Sequence, residues 1–325
     1  MKKRTIIILV VLGGLGILVG LDILKSRTAN SEPVRINLPA GDFSMLCNHL
    51  DQKDIETNTT FHLFARLLKL DQSVKPGSYI VEPHMKQLAL VRKLRNGQQD
   101  PIRLTIGKFR TPGQLNDYLN KKLMHNDFNV TLDSFYLIRP NTYEFYWTVS
   151  PDDFMQRMER EYRKVENDAT QDAAASLSTS LFPLSTFREA IILASIIEEE
   201  TNNNQEKPLV ASVYLNRLRK GMPLQADPTV KYAVGDFTLR RILNKHLAEE
   251  SPFNTYLHIG LPPAPICLPS ASSVDAVLNA PQTSYLYFCA SPDLDGTHRF
   301  AATLAEHNRN AAAYHAALNR NGIKH

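Results

Sequence analysis

The pattern of hydrophobic and polar residues changes along the chain, and each pattern predicts a different kind of segment. Ile6 to Leu21 is apolar and contains no charged residue. Short alternating and helical patterns occupy residues 34–106, and a nearly continuous apolar stretch follows at residues 190–197. We therefore expect a membrane anchor, a small module and a larger domain with a buried central helix.

Residues 1–25 are predicted to be a cytoplasmic tail and an uncleaved transmembrane anchor. The basic start Met1–Arg4 precedes an apolar run close to the length of about 20 residues that crosses a bilayer. A cleavable signal peptide is the alternative, but the run is long and no Ala-x-Ala site follows it. Because short basic tails stay in the cytoplasm, the rest of the chain is expected on the opposite side of the membrane.

A linker and a small α+β module are predicted next. Residues 26–33 (SRTANSEP) are polar without apolar periodicity, which is typical of a linker. The module, residues 34–106, begins with the alternating strand pattern of Val34–Leu38 and contains a helix ending at Asn96-Gly97. Nothing in it predicts catalysis, so the chemistry is expected in residues 107–325.

Three segments of that larger region have their own predictions. Ile138–Trp147 is rich in aromatic residues, and we favour a packed aromatic corner over a platform for sugar rings. Asp168–Ser180 is predicted to be a surface loop or a frayed helix, and Ser284–Ala290 a buried strand. Mixed helices and strands throughout predict an α+β chain with a mixed α/β catalytic domain.

Three carboxylates end the apolar helix that starts near Thr186. Glu198, Glu199 and Glu200 occupy its last turn, just before Thr201. Acidic residues there oppose the helix macrodipole and repel one another. Such a departure from local stability is expected at a functional site, although a solvated acidic helix end is the simpler alternative.

Glu200 is the best candidate for a general acid. It follows Leu193 by seven residues and Ile196 by four, so it shares their apolar helix face. An apolar wall and nearby negative charges both raise a carboxyl pKa toward the range of a general acid. Further along, Asp227 is explained as a helix N-cap before a proline, whereas Gln225 has no structural role and is a candidate to bind a polar ligand.

The sequence contains no motif for metal, nucleophilic-serine or nucleotide chemistry. The histidines lack an HExxH motif or a CxxC companion, so neither a metal site nor a cofactor is predicted. The chain contains no GxSxG, P-loop or GxGxxG motif. Of the net charge of +4, a net +3 lies in residues 1–25. The basicity therefore indicates membrane topology, and no nucleic-acid partner is expected.

Several motifs together resemble the MltG/YceG-like endolytic murein transglycosylases. Ala194–Thr201 (ASIIEEET) is similar to the ASIxExET signature of that family, with Glu199 where Lys is common and Phe253 where Tyr is common. The further matching blocks follow in order, and they are Ala211–Leu218, Gly221–Met222 with Leu224–Val230, Asn254–Tyr256, Gly260–Pro263, Tyr285–Phe288, His298 and His307-Asn308. The family layout implies that residues 34–106 are LysM-like.

The resemblance implies both an activity and a set of site residues. Glu200 would be the catalytic acid of a lytic transglycosylase that cuts between N-acetylmuramic acid and N-acetylglucosamine, leaves 1,6-anhydro ends and terminates strand elongation. The candidate supporting or substrate-binding residues are Glu198, Asn216, Gln225, Asp227, Asn254, Tyr256, His298, His307 and Asn308. A muramidase-type hydrolase, which needs a second carboxylate from Glu198 or Asp227, and a non-catalytic scaffold for synthases are the alternatives.

The resemblance also implies a location and partners. We expect a single-pass protein of the bacterial cytoplasmic membrane whose catalytic part lies on the periplasmic or extracytoplasmic side. Its substrate would be the peptidoglycan glycan strand, and penicillin-binding synthases would be its protein partners.

Overall fold

A computed structural model of the chain describes residues 26–55, 57–173, 184–239 and 241–322. The anchor predicted for residues 1–25 lies outside these ranges. Within them, no helix is long and apolar enough to cross a bilayer. The chain divides into two compact units, the first comprising residues up to 104 with 120–126 and 143–150, and the second comprising the other residues.

The first unit is a small α+β fold on a two-stranded sheet. Strands β1 (Val34–Leu38) and β2 (Gly77–Val81) pair antiparallel, with Ile36 opposite Tyr79. Its helices are α1 (Phe43–Asp51), α2 (Thr59–Leu67) and α3 (Gln87–Asn96). The apolar faces of these elements enclose one core, which includes Ile36, Leu50, Phe61, Tyr79 and Leu90. The helices and strands of this unit agree with the predicted α+β content, while the bounds of the module and its likeness to LysM stay predictions.

Local capping explains where these helices begin and end. The Asp42 carboxylate accepts the Met45 N–H at 2.8 Å, and the Asn58 side chain accepts the Phe61 N–H at 3.0 Å. Both contacts satisfy free N–H groups of a first turn. Helix α3 ends at Gly97, whose φ of 67° is the left-handed conformation that glycine adopts without strain. The helix end predicted at Asn96-Gly97 is therefore confirmed.

Residues 26–33, predicted as a linker, have definite partners in the first unit. The Thr28 N–H donates to the Met85 carbonyl at 2.8 Å, and the Asn30 amide donates to the Val81 carbonyl at 3.1 Å. Thr28 is only 2% exposed. Hydrogen bonds from polar side chains and backbone groups attach this segment to the rest of the unit. Its sequence therefore has no apolar periodicity that would predict the attachment.

The second unit contains most of the helices. In chain order the elements after α3 are β3 (Ile102–Ile106), α4 (Pro112–Lys122), α5 (Leu132–Phe135), β4 (Asn141–Phe145), α6 (Pro151–Ala173), α7 (Phe187–Glu200), α8 (Lys207–Arg219), α9 (Asp227–Val234), α10 (Asn244–Leu247), α11 (Ala271–Leu278), β5 (Tyr287–Ala290), β6 (His298–Ala301) and α12 (Leu304–Arg320). Strands β3 and β4 pair with each other.

Helix α7 is the central element of the second unit. It packs against α8, α9 and α11, and every residue from Ala190 to Ile197 is buried. The sequence of this helix is apolar on all sides, which is why it lies in the core. The buried central helix predicted from residues 190–197 is confirmed.

Strand β5 is shorter and more exposed than the buried strand predicted for Ser284–Ala290. It pairs antiparallel with β6, placing Phe288 opposite Phe300, and all four of its residues are only partly buried. Helix α12 packs on this hairpin. The predicted burial was wrong because a two-stranded hairpin has no further strands to shield its edges.

The other two predictions for residues 107–325 have different outcomes. Tyr143 and Phe145 on β4 are buried, and their rings lie 6.2 Å apart, which confirms the packed aromatic corner for this pair. Tyr146 is 56% exposed. For the segment predicted as a loop or frayed helix, α6 continues to Ala173 and residues 174–183 lie outside the described ranges.

Candidate active site

Helix α7 carries the candidate acid to the edge of the core. Its N-terminus is a capping box, in which the Thr186 hydroxyl accepts the Glu189 N–H and the Glu189 carboxylate accepts the Thr186 N–H, each at 3.2 Å. Its C-terminus is Glu200, after which Thr201 has extended backbone. The three glutamates of the last turn therefore emerge where the buried helix reaches the surface.

Glu200 is a partly buried carboxyl group with an unusual proton affinity. The pKa of Glu200 is raised from 4.5 to about 7, with burial as the largest cause and the Asp227 charge as a further one. A hydrogen bond from the Tyr214 hydroxyl, 2.6 Å from Oε1, lowers it. At neutral pH a large fraction of Glu200 is thus protonated, as a general acid requires.

Glu200 lies in the wall of a cavity of about 280 Å³, called here the Tyr256 cavity. Residues from four helices, two loops and the hairpin surround it. They are Glu200, Tyr214, Arg217, Leu224, Gln225, Asp227, Tyr256, Phe288 and His307. Four of the sequence-predicted supporting residues, Gln225, Asp227, Tyr256 and His307, therefore meet at the candidate acid.

Asp227 has a different role from the N-cap predicted for it. It is the first residue of α9, and no side-chain cap is made at the N-cap position, Ala226. The Asp227 carboxylate instead accepts a hydrogen bond from the Tyr256 hydroxyl at 2.6 Å. The N-cap assignment was wrong because this tertiary partner, 29 residues away, leaves the carboxylate facing the cavity.

Glu198 is held apart from the cavity by its own partners. Its Oε2 accepts hydrogen bonds from Ser270 and Ser273, each at 2.5 Å, and from the Lys207 ammonium at 3.1 Å. Burial acts to raise the pKa of Glu198, but these three donors outweigh it, so the pKa lies below its ordinary value. Glu198 is an ionised structural group and does not line the Tyr256 cavity.

Glu199, the third carboxylate of the turn, pairs with cations from the segment after β3. Lys108 lies 3.0 Å from its Oε1, and Arg110 binds both oxygens at 3.0 and 3.1 Å. The three glutamates thus diverge into separate environments, and only Glu200 lies among the cavity residues.

Two predicted site residues bind backbone carbonyls of neighbouring loops. The Asn216 amide donates to the carbonyls of Thr283 and Tyr285, each at 2.9 Å, and so fixes the segment before β5. The buried Asn254 amide donates to the carbonyls of Leu247 and Glu249 at 3.0 and 2.9 Å. Each holds a loop in place, and Asn254 precedes Tyr256 in one such loop.

The histidines of the hairpin region lie in different surroundings. His307 lines the Tyr256 cavity and stacks on Tyr287 at 5.4 Å, and burial, with the nearby Arg217 charge, lowers its pKa. The neighbouring Asn308 is exposed and is not among the residues that line the cavity. In the part of the chain that the structure describes, no cluster of His, Cys, Asp and Glu residues has the makings of a metal site.

His298 lies in the wall of a second cavity, called here the His298 cavity, of about 710 Å³. Glu200 also lines it, so the candidate acid borders both cavities. The other lining residues come from the segment after α7, the β5–β6 turn and α12, and they include Thr201, Asn202, Asn203, Asp295 and Tyr314.

Comparison with known proteins identifies the family of this arrangement. A model of the YceG-like family matches residues 36–313, which include Glu200 and every residue that lines the Tyr256 cavity. The chain belongs to the YceG-like family. The predicted family resemblance is therefore confirmed.

Two relatives of this YceG-like chain are both named endolytic murein transglycosylase. It is 35% identical over 199 residues to an endolytic murein transglycosylase of Bacillus subtilis, a match that covers 61% of this chain and 51% of the relative. It is 32% identical over 133 residues to an endolytic murein transglycosylase of Streptococcus pneumoniae, covering 40% of this chain and 24% of the relative. The chain thus matches about half the length of the first relative and less of the second.

A solved structure supports the fold of this YceG-like chain. A crystal structure of a YceG-like protein from Listeria monocytogenes superimposes with a TM-score of 0.53 at 28% sequence identity. The match covers 86% of this chain and 99% of the other.

Three side chains near Glu200 or His298 in this YceG-like chain were not predicted from the sequence. Tyr214 and Arg217 are one turn apart on α8 and both line the Tyr256 cavity. Glu206, directly before α8, binds His298. A partial signal existed for the first two, since a tyrosine and an arginine three residues apart share a helix face, but their partners come from distant segments.

Proposed function

We propose that this YceG-like chain is an endolytic murein transglycosylase. It cleaves the bond between N-acetylmuramic acid and N-acetylglucosamine in nascent glycan strands, forms 1,6-anhydro ends and thereby terminates elongation. The observation that carries the proposal is the Glu200 carboxyl group, with a pKa raised to about 7, in the wall shared by two cavities. Cutting within a strand requires room for sugars on both sides of the broken bond.

One carboxyl group is enough for this reaction. Protonated Glu200 gives its proton to the glycosidic oxygen as the bond from that oxygen to the muramic C1 breaks. The 6-hydroxyl of the same muramic residue attacks C1, and its proton passes to the Glu200 carboxylate. No water is consumed, and the acid returns to its starting form. Because the nucleophile belongs to the substrate, its effective concentration is very high.

Neighbouring groups stabilise both the ionised and the protonated form of Glu200 that this cycle requires. The Tyr214 hydroxyl, 2.6 Å from Oε1, stabilises the carboxylate that forms when the proton leaves. Asp227 raises the pKa of Glu200 and supplies negative charge on the wall of the same cavity. Such a charge stabilises the positively charged sugar ring that develops as the bond breaks.

Product analysis tests this proposal. The chain is incubated with peptidoglycan glycan strands, and the products are weighed by mass spectrometry. We expect 1,6-anhydro ends. Products heavier by one water would replace this proposal with the second candidate, a muramidase-type hydrolase, which Asp227 supports because it is a second carboxylate in the cavity of Glu200. Absence of any cleavage would leave only a glycan-binding scaffold.

The location and partners are part of the proposal. Residues 1–25 anchor the chain in the bacterial cytoplasmic membrane, with the second unit on the extracytoplasmic side, where penicillin-binding synthases make new strands. The support is the charge pattern of residues 1–25 and the peptidoglycan chemistry. Protease added to spheroplasts should degrade the second unit. Complete protection would contradict this topology.

A further inference from the structure

We propose that the His298 cavity is a binding site for a neutral amino sugar of the glycan, and that Glu206 is the residue that positions His298 in it. This inference rests on the proposed function and deepens it. It assigns the two cavities to opposite sides of the scissile bond and adds a positioning residue to the site.

A buried carboxylate holds His298 in one orientation. Glu206 is 9% exposed; its Oε1 accepts the His298 backbone N–H at 2.8 Å, and its Oε2 lies 2.9 Å from His298 Nδ1. Because an ionised carboxylate only accepts hydrogen bonds, Nδ1 carries the proton. In the neutral ring, Nε2 is then a hydrogen-bond acceptor, and it is the ring nitrogen that Glu206 does not bind.

The two cavities are connected by shared elements as well as by Glu200. Phe288 contacts Tyr214 with ring centres 5.9 Å apart and His298 with ring centres 5.4 Å apart, so its ring lies between the two cavities. On α12, His307 lines one cavity and Tyr314 the other. They are seven residues apart, on one helix face and about 10 Å apart along the axis. The two cavities therefore adjoin at Glu200, where a glycan bound across both would place its scissile bond.

The chemistry of the His298 cavity favours a neutral saccharide. Its lining residues supply amide and hydroxyl groups from Asn202, Asn203 and Tyr314 and a carboxylate from Asp295, and none of them is Lys or Arg. An acidic peptide stem would meet no lysine or arginine side chain among these residues. N-acetylglucosamine offers hydroxyl donors for Nε2 and an acetamido group for the asparagines, with no charge to desolvate.

The test uses the full chain, with N-acetylglucosamine tetramer as the binding probe and glycan strands as the substrate. His298→Ala keeps the backbone N–H that Glu206 binds, so it removes the ring alone. We expect tetramer affinity to fall about tenfold and KM for strands to rise by a similar factor, with kcat changed much less. A tenfold change corresponds to about 1.4 kcal/mol, the scale of one hydrogen bond.

Glu206→Gln tests the positioning role. A glutamine in the same place can accept the backbone N–H while offering its NH₂ group to Nδ1, which reverses the tautomer and makes Nε2 a donor. In Glu206→Gln we expect a rise in KM without a matching loss of kcat. In His298→Gln we expect tetramer binding to recover in part relative to His298→Ala. The matched control is Glu189→Gln, another carboxylate that accepts backbone N–H groups at a helix N-terminus, which should leave KM unchanged.

The outcomes separate this inference from the proposed function. If Glu200→Gln abolishes cleavage but both His298→Ala and Glu206→Gln retain wild-type KM and tetramer affinity, the assignment of the His298 cavity is wrong and the enzyme assignment stands. If Glu200→Gln cleaves normally, the proposed function itself fails. If Glu206→Gln does not fold, His298→Ala decides the matter alone, since it leaves the carboxylate and its backbone contact in place.

Discussion

Glu198 and Glu200 are two residues apart on the same helix turn, yet their surroundings give them opposite properties. Glu198 has one ammonium group and two hydroxyl groups on its Oε2, and its pKa lies below the ordinary value. Glu200 has one phenol hydroxyl on Oε1, and its pKa rises to about 7. Both are largely removed from water, so burial alone does not decide which one becomes an acid. Burial raises the pKa of both, and at Glu198 the ammonium and the two hydroxyl groups outweigh it.

The largest expected effect is a difference in glycan cleavage between variants of Glu200 and Glu198. Glu200→Gln removes the transferable proton and should lower the rate of glycan cleavage by about 10²- to 10⁴-fold, the usual contribution of a general acid. Glu198→Gln should keep cleavage within about tenfold of wild type, since that group lies outside the cavity. Rates are measured on strands by chromatography of released fragments. Comparable losses in both variants would refute the separation.

The free energy of unfolding, unlike the activity, should depend strongly on Glu198. Glu198→Ala leaves the Lys207 ammonium, 5% exposed, without its carboxylate, and losing one partner of a buried pair costs about 3–5 kcal/mol of unfolding free energy. Urea denaturation measures it. The matched control is Glu199→Ala, whose partners Lys108 and Arg110 are 33% and 37% exposed, so its cost should be about 1 kcal/mol or less.

The raised pKa of Glu200 predicts a pH-dependent stability. Folding shifts this pKa upward from 4.5 to about 7, so the folded state binds the proton more tightly than the unfolded state. The stabilisation is complete below pH 4.5 and is lost as the pH rises through 7. Glu200→Gln, which cannot ionise, should therefore gain stability relative to wild type across that interval, by up to about 3 kcal/mol. A difference that does not vary with pH would contradict the raised pKa.

The smallest expected effect concerns Tyr214. Tyr214→Phe removes the hydrogen bond that lowers the pKa of Glu200, so the alkaline limb of kcat/KM should move to higher pH. The expected displacement is about one pH unit, because such a bond contributes about 1–1.5 kcal/mol and one unit corresponds to 1.36 kcal/mol. Tyr232→Phe, a partly buried tyrosine that does not line the Tyr256 cavity, is the control and should leave the limb in place.

The candidate acid could be predicted from the sequence because its signal is local. Leu193, Ile196 and Glu200 share one face of a single helix, and a carboxylate on that face at the helix end departs from the pattern that favours stability. The same kind of local signal predicted the end of α3 at Gly97. Such features depend on residues within two turns of one another.

Other features could not be predicted because their partners are distant in the chain. Asp227 was assigned to a helix cap, and only the fold brings Tyr256 to it. The linker prediction for residues 26–33 likewise missed contacts with Val81 and Met85. In each case the neighbouring residues alone suggest a plausible role, a helix cap or a linker. The contact with a distant segment shows a different one.

The sequence by itself determined the family, the buried central helix and Glu200 as the acid candidate, because ordered motifs and helical spacing are properties of neighbouring residues. Only the tertiary structure decided that Glu198 and Glu199 are neutralised by cations, that Tyr214 and Asp227 adjust the acid from opposite directions, and that Glu206 binds His298 across 92 residues. Proton affinity depends on which charges and donors surround a carboxyl group in space, and that arrangement forms only when distant segments pack together.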